Sequence, residues 1–338
     1  MGQISATRIS DEIRAPRRGR WWRRLSWVLG LGLVVLVIAV GDELSEPGAW
    51  RLIIERTAVG WLLVALALQI LTYFAEGENW RVVLRARKHH VPIWRMWRLA
   101  MAKLFVDQAV PSAGLSGTAI IAYRLERMAI PRAVVMAAIV VDIASYYFSY
   151  FVCLILALCI AFVKGHLTGL VLLLTLLLLL AAALIVGTTL SVAGRESSRI
   201  AIWMQRVPLV RDGIKLLTTA ERGLALSPNV LIKATVWQMG TVLCDTLTLW
   251  CLLISTGAEV GLPTVFASFM VSSLLRTVSI VPAGLGPFEA ASVATLSLAD
   301  VPIPVALSAT LLFRLLSFWL PLLPGLIFAR DAVKRARD

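Results

Sequence analysis

The sequence predicts an all-α polytopic membrane protein with about six full spans and two broken, re-entrant helical hairpins in an inverted repeat. Three observations predict it. Of 338 residues, 59% are hydrophobic and only 16% charged, against about 45–50% and about 25% in soluble domains, and mean hydropathy is +0.83. The apolar residues fall into runs long enough to cross a bilayer, such as 167–193. The basic residues fall between those runs, and two of the runs are interrupted at their centres by proline and glycine.

Residues 1–24 form a basic tail that ends in Arg17, Arg18, Arg20, Trp21, Trp22, Arg23 and Arg24. Residues 25–41 follow as a first span. Ala39, Val40 and Gly41 would also fit a signal-peptide cleavage site, but a retained span is expected because many more follow. The further apolar runs are 57–74, 99–121, 133–163, 167–193, 230–257, 265–298 and 304–328. They form one transmembrane domain over about 25–330, with a linker at 194–229 and a basic tail at 331–338. The linker mixes Ile200, Ile202, Trp203 and Met204 with six bases and three acids and breaks at Pro208, which reads as an amphipathic surface helix.

Charge decides direction. The N-terminal tail, the gaps 75–98, 122–132 and 194–229, and the tail 329–338 hold 26 of the 33 Lys and Arg residues. The positive-inside rule places these five stretches in the cytoplasm, with both termini, in a cytoplasmic (inner) membrane. The net charge of +13 then reflects loops facing anionic lipid rather than nucleic-acid binding.

Gaps 75–98 and 122–132 on one side mean that run 99–121 enters the membrane and returns. Twenty-three residues cannot cross twice at about 20 per crossing. The run's centre, Pro111, Ser112, Ala113, Gly114, Leu115, Ser116 and Gly117, supplies the break a re-entrant hairpin needs. Gaps 258–264 and 299–303 carry no basic residue, so run 265–298, broken at Pro282, Gly284, Gly286 and Pro287, enters from the opposite face. Its length fits either a deep hairpin or two short spans. Span, hairpin and span thus occur twice, over about 57–163 and 230–328, in opposite orientations, an architecture tied to transport.

Ionisable residues inside apolar runs are costly and mark candidate sites. The acids are Asp107, Asp142, Asp245 and Glu289, and the bases Lys103, Arg276, Arg314 and, near an end, Lys233. Internal ion pairing is the competing account of each, and for Arg276 the expected partner is Glu289 across the hairpin. Gly286 is predicted as an N-cap with Pro287 at N1 and Glu289 at N3, where a carboxylate offsets the helix dipole. Helix starts at the two tips offer backbone N–H groups to a phosphate, with Arg276 and Arg314 adding charge-assisted contacts. Asp142, Tyr146 and Tyr150 share one helical face, which would line a polar path or bond neighbouring helices. Cys153, Cys159, Cys244 and Cys251 lie in apolar runs without metal spacing, no nucleotide-binding motif appears, and no cofactor or metal is expected.

At the two tips the sequence resembles a known family. Val281 to Ala290, with Pro282, Gly284, Gly286 and Glu289, followed by Arg314 and Gly325, looks like the Pro-x-Gly-x-Gly-x-x-Glu-Ala block and Arg-containing helix of the lysylphosphatidylglycerol synthase membrane-region family, also called flippase-like. Pro111 to Gly117 with Arg124 is similar to its Pro-Gly-rich block, with the glycines spread apart. The chain is also similar to the membrane domain of multiple peptide resistance factors, without a soluble aminoacyltransferase domain. The resemblance implies translocation of a lipid or lipid-linked headgroup, with no catalytic residue. Pro111, Ser112, Gly114, Gly117, Pro282, Gly284, Gly286, Arg276 and Arg314 would hold a phosphate-bearing lipid. Glu289, Asp107, Asp142 and Asp245 would take protons or a cation. A lipid-modifying membrane enzyme and a proton-coupled small-solute transporter are the alternatives. A second copy of the chain or a lipid-synthesis enzyme is a possible partner.

Overall fold

The computed structural model describes residues 35, 39, 58–109, 115–163, 169–195, 214, 217–279 and 281–334. Nearly all of the predicted first span, most of the 194–229 linker, and the tip residues Pro111, Ser112 and Gly114 lie outside them. The described residues form helices α1 (Val59–Ala86), α2 (Ile93–Ala109), α3 (Leu115–Arg127), α4 (Arg132–Val163), α5 (Gly169–Val192), α6 (Pro228–Ser255), α7 (Leu262–Val278), α8 (Pro287–Ser297), α9 (Ile303–Arg314) and α10 (Leu320–Lys334). A π-helical turn, Leu315–Trp319, joins α9 to α10. Among the described residues, five stretches are long and apolar enough to cross a membrane: Val59–Ala86, Arg132–Ile160, Thr175–Val192, Pro228–Ser255 and Ile303–Ala329. A 28-residue helix such as α1 is about 42 Å long, more than the roughly 30 Å hydrocarbon core. The protein is an all-α, multi-pass membrane protein.

The centre of the bundle is an antiparallel pair, α1 and α6, each of 28 residues. The Ala58 amide donates to Ser255 O at 2.9 Å at one end. Trp80, Val83 and Leu84 pack in one cluster with Val230 and Ala234 at the other. That second end gathers three of the basic gaps. Arg87 Nε donates to Glu221 Oε1 at 2.6 Å, and the Glu221 amide donates to Ala133 O at 2.9 Å. Gaps 75–98, 122–132 and 194–229 therefore meet at one end of the bundle. At the other end Trp250 Nε1 donates to Val260 O at 2.9 Å, and Leu296 and Val301 join a separate core cluster with Val265.

Both hairpins are broken helices. The arms α2 and α3 have 17 and 13 residues, about 25 and 20 Å. The arms α7 and α8 have 17 and 11, about 25 and 16 Å. Run 265–298 thus folds into two apolar arms, each shorter than the five long candidate spans. It starts and ends away from the basic end, whereas the first starts and ends there. The first arm of each packs on the last span of the other unit, α2 against α10 and α7 against α4. The tip turn of the second hairpin, Pro282–Gly284, also reaches α2.

The extent of the 75–98 gap is corrected. The helix does not stop at Phe74. α1 continues to Ala86 and α2 begins at Ile93, leaving only a short connection. Polar residues of that stretch lie on a continuing helix, some of them against protein. Asn79 and Trp80 are each 1% exposed, and Glu78 pairs with Arg81 and Arg85 along the helix.

Packing relies on aromatic and small polar contacts, as expected where lipid removes most of the hydrophobic drive between helices. Phe269, Phe288 and Phe313 are buried together, their ring centroids 5.6–6.2 Å apart. Hydroxyl pairs join Ser268 to Thr295 at 2.6 Å and Ser292 to Thr310 at 2.8 Å. Tyr73 Oη donates to Leu316 O at 2.6 Å, supplying a donor to the π-helical turn. Gly325 lets α10 close on α2: a Cβ there would stand 2.7 Å from both Met101 O and Phe105 Cβ.

Two outcomes follow. Gly325→Val will destabilise the purified protein by about 1–3 kcal/mol through overpacking, read as a lower melting temperature in detergent. Gly187→Ala, where a Cβ meets nothing within 4 Å, will not. Cysteines placed at the exposed positions Arg85 and Glu126 will react with a membrane-impermeant reagent from one side of the membrane, and a cysteine at the exposed Glu259 from the other. Labelling of Arg85→Cys and Glu126→Cys from opposite sides would refute the hairpin geometry.

Candidate functional site

The ionisable residues of the apolar runs gather into three groups. The first surrounds Lys103 on α2. Its Nζ donates to Glu76 Oε1 on α1 at 2.5 Å and to Asp142 Oδ2 on α4 at 3.1 Å. Asp142 Oδ1 also accepts from Asn79 Nδ2 at 2.7 Å and Gln238 Nε2 at 3.3 Å. Lys103 Nζ stands 5.8 Å from the centre of the Trp80 ring. One helical turn further along α2, Asp107 Oδ1 accepts the Gly117 amide of α3 at 2.8 Å. That bond ties the arms of the first hairpin near their break. Gly117 is required there, because a Cβ would lie 2.5 Å from both Asp107 Oδ1 and Lys103 O.

The second group lies on α6 and α7. Asp245 Oδ1 accepts from Gln69 Nε2 at 3.2 Å and Thr72 Oγ1 at 3.3 Å. Arg276 Nη2 donates to Tyr150 Oη at 3.0 Å. The rings of Tyr146 and Tyr150 are in contact, tilted by 36° with centroids 4.7 Å apart. With Leu154, Leu178, Ala182 and Leu274 they line a cavity of about 200 Å³ between α4, α5 and α7.

The third group builds the second tip. Gly286 is the N-cap of α8, with φ at 93°. Its amide donates to Glu289 Oε2 at 2.6 Å, in line with the cap, N1 and N3 positions predicted for Gly286, Pro287 and Glu289. Glu289 Oε1 accepts from Arg314 Nε at 2.7 Å. Arg314 Nη2 in turn donates to Ala283 O at 3.0 Å, and its guanidinium lies between the rings of Phe288 and Phe318, 5.2 and 4.9 Å from their centres. Ala283 and Gly284 both adopt left-handed backbone, φ 55° and 61°. Gly284 packs so closely on Arg276 that a Cβ would come within 2.7 Å of its Cα.

The expected pairing of Arg276 with Glu289 is therefore corrected. Arg314 takes that carboxylate, because it arrives from α9 beside the cap, while Arg276 turns toward α4 and Tyr150. Asp107 and Asp142 are brought together by Lys103. Asp245 stands with Arg276, and Glu289 with Arg314. Pro282, Gly284 and Gly286 form the second tip. The alignment of Asp142, Tyr146 and Tyr150 on α4 divides between the first two groups: Asp142 meets Lys103, and Tyr150 meets Arg276.

Sequence reading missed Gln69, Thr72, Glu76, Asn79 and Gln238. A usable signal existed. Gln69, Thr72, Glu76 and Asn79 follow one another at three- and four-residue steps, the spacing of one helical face. Gln69 to Glu76 and Gln238 to Asp245 repeat the same seven-residue interval in the first spans of the two units.

The ion pair at the second tip predicts a stability effect. Arg314→Leu leaves Glu289 buried at 1% exposure with no cation, a loss of about 3–5 kcal/mol. Glu289→Gln combined with Arg314→Leu will recover part of that loss in thermal unfolding, the non-additivity expected of contacting residues.

Comparisons with known proteins agree with this architecture. The sequence model described as the lysylphosphatidylglycerol synthase TM region matches residues 25–325. The chain is 24% identical over 301 residues to a UPF0104 membrane protein of Methanocaldococcus jannaschii, covering 85% of this chain and 88% of that one. It is 22% identical over 321 residues to a UPF0104 membrane protein of Pyrococcus horikoshii, covering 86% and 94%. A third, from Methanothermobacter thermautotrophicus, is 21% identical over 317 residues, covering 87% and 89%.

Proposed function

Starting from the fact that this chain belongs to the lysylphosphatidylglycerol synthase transmembrane-region family, we propose that it moves a lipid or lipid-linked headgroup between the leaflets of the cytoplasmic membrane. The observation that carries this reading is the meeting of two broken hairpins inside the bundle, where the tip Pro282–Gly284 reaches α2. Discontinuous helices that meet at mid-depth are the elements from which many transporters build a substrate site. The antiparallel pairing of α1 with α6, and the reciprocal packing of each hairpin on the other unit's last span, support an inverted repeat that would expose such a site to either side in turn.

Arg276 is the residue best placed to take a phosphate. It gives one Nη2 hydrogen to the Tyr150 hydroxyl, and a guanidinium has further donors for a second, charged acceptor. It stands beside the cavity lined by Tyr146, Tyr150, Leu154 and Leu178, which is apolar enough to receive the root of an acyl chain. Arg314 is committed to Glu289 and Ala283, so its part is to shape the tip. The lipid leaves chemically unchanged, and the protein acts as a transporter rather than an enzyme.

Reconstitution in liposomes with fluorescently labelled anionic, zwitterionic and cationic lipids tests this. The wild type will accelerate leaflet exchange of a phosphate-bearing lipid over protein-free liposomes. Arg276→Gln will slow it about tenfold or more, the loss of one charge-assisted contact. Mass spectrometry of the recovered lipids will show no new species. Exchange equal to empty liposomes across the panel would overturn the reading, and a chemically altered lipid would make the protein an enzyme.

A further inference from the structure

The first two charge groups are joined by a buried polar seam. Gln69, Thr72, Glu76 and Asn79 run along one face of α1 over ten residues, about 15 Å. At one end Gln69 and Thr72 bond Asp245. In the middle Glu76 accepts from Lys103, and at the other end Asn79 and Gln238 bond Asp142. Lys103, Glu76 and Asp107 are the ionisable groups facing Asp142. Arg276, Tyr73 and Cys244 are those facing Asp245.

Two features separate this seam from a static network. The first is charge. Glu76, Asp107 and Asp142 surround a single ammonium, that of Lys103. Fully ionised, the centre would hold two uncompensated negative charges within the membrane, at a cost of several kcal/mol each. Proton uptake removes that cost. The second is unmet hydrogen bonding. Gln69 Oε1 and Asn79 Oδ1, acceptors at the two ends of the α1 stripe, have no partner among the described residues, nor has the Trp80 indole N–H beside Lys103. Each of these side chains is 1% exposed. Buried polar atoms in native proteins are nearly always bonded, to water where no protein group serves.

We propose that the α1–α6 seam is a proton path linking the Lys103–Asp142 centre to Asp245. A proton from the basic end binds the Asp142 carboxylate, and Lys103 then pairs with Glu76 alone. Waters bonded at Asn79 and Gln69 relay a proton to Asp245, and Arg276 stabilises the carboxylate when that proton leaves. One proton enters and one leaves, with no net redox change. Glu289 takes no part, since its single charge is matched one-to-one by Arg314, unlike the carboxylates that share Lys103. The inference rests on the lipid-translocation reading only for what the protons drive.

The test has two arms on the full chain in liposomes. Infrared spectroscopy over a pH titration will show buried carboxylic acid bands that diminish in Asp142→Asn and in Asp245→Asn but are unchanged in Glu259→Gln, at an exposed loop position. Leaflet exchange of a labelled anionic lipid will accelerate under an imposed pH gradient. Gln69→Leu, which keeps both carboxylate centres, will reduce that acceleration about tenfold while leaving the Asp142 band in place. Should an aspartate variant fail to fold, Gln69→Leu and Thr72→Val still break the seam. The proposal is overturned if no carboxyl band titrates, or if the wild type exchanges lipid at a rate indifferent to the gradient; in the latter case the lipid reading stands alone. Titrating bands lost in both aspartate variants, without lipid exchange, would support the seam and overturn the lipid reading.

Discussion

Breaking a helix inside a bilayer is possible only if the freed backbone groups find partners, because hydrocarbon offers none. At the second tip one ion pair meets that demand. Glu289 accepts the amide of Gly286 with one oxygen and the Arg314 guanidinium with the other, and Arg314 reaches back to the carbonyl of Ala283. Two side chains thereby satisfy a donor on one side of the break and an acceptor on the other. The burial of both charges is tolerable because each is fully engaged, and because Phe288 and Phe318 present ring faces to the guanidinium. The same pair anchors α9 to the hairpin, so the position of the tip against α2 depends on it.

The first hairpin solves the corresponding problem differently. Its acid, Asp107, sits on the incoming arm and accepts an amide of the outgoing one, that of Gly117. Among the described residues Lys103, one turn earlier on the same arm, is the cation of that group, and it is shared with Glu76 and Asp142. The two units are thus alike in architecture and unlike in charge. The second tip is closed and neutral, whereas the first is left with more carboxylate than ammonium.

Much of this was legible in the sequence. Proline and glycine at residues 282–287 exposed the second break, because few other residues end a helix within an apolar run. Counting arginine and lysine placed three gaps together at one end of the bundle, since loops keep the charges that spans exclude. The cap formed by Gly286, Pro287 and Glu289 was readable because it is local. What was not legible was lateral. Glu76 and Asn79 looked like loop residues because hydropathy averages over all faces of a helix, and these two face inward on a helix that continues to Ala86. The exchange of partners between Arg276 and Arg314 depended on which arm lies beside α9, and no spacing along the chain encodes that.

The polar face of α1 also explains why the central pair is long and antiparallel. A stripe of Gln69, Thr72, Glu76 and Asn79 directed at lipid would be prohibitively costly, so α1 requires a neighbour with complementary polar groups at matching heights. α6 supplies Gln238 and Asp245 seven residues apart, and in an antiparallel arrangement Asp245 stands opposite Gln69 and Thr72 while Gln238 reaches the Asp142 bonded by Asn79. A parallel partner would invert those heights and leave the acid at one end facing no donor. The hydrogen-bonding pattern therefore specifies the direction of packing as well as the register. It also brings two buried acids, Asp142 and Asp245, to the α1–α6 pair.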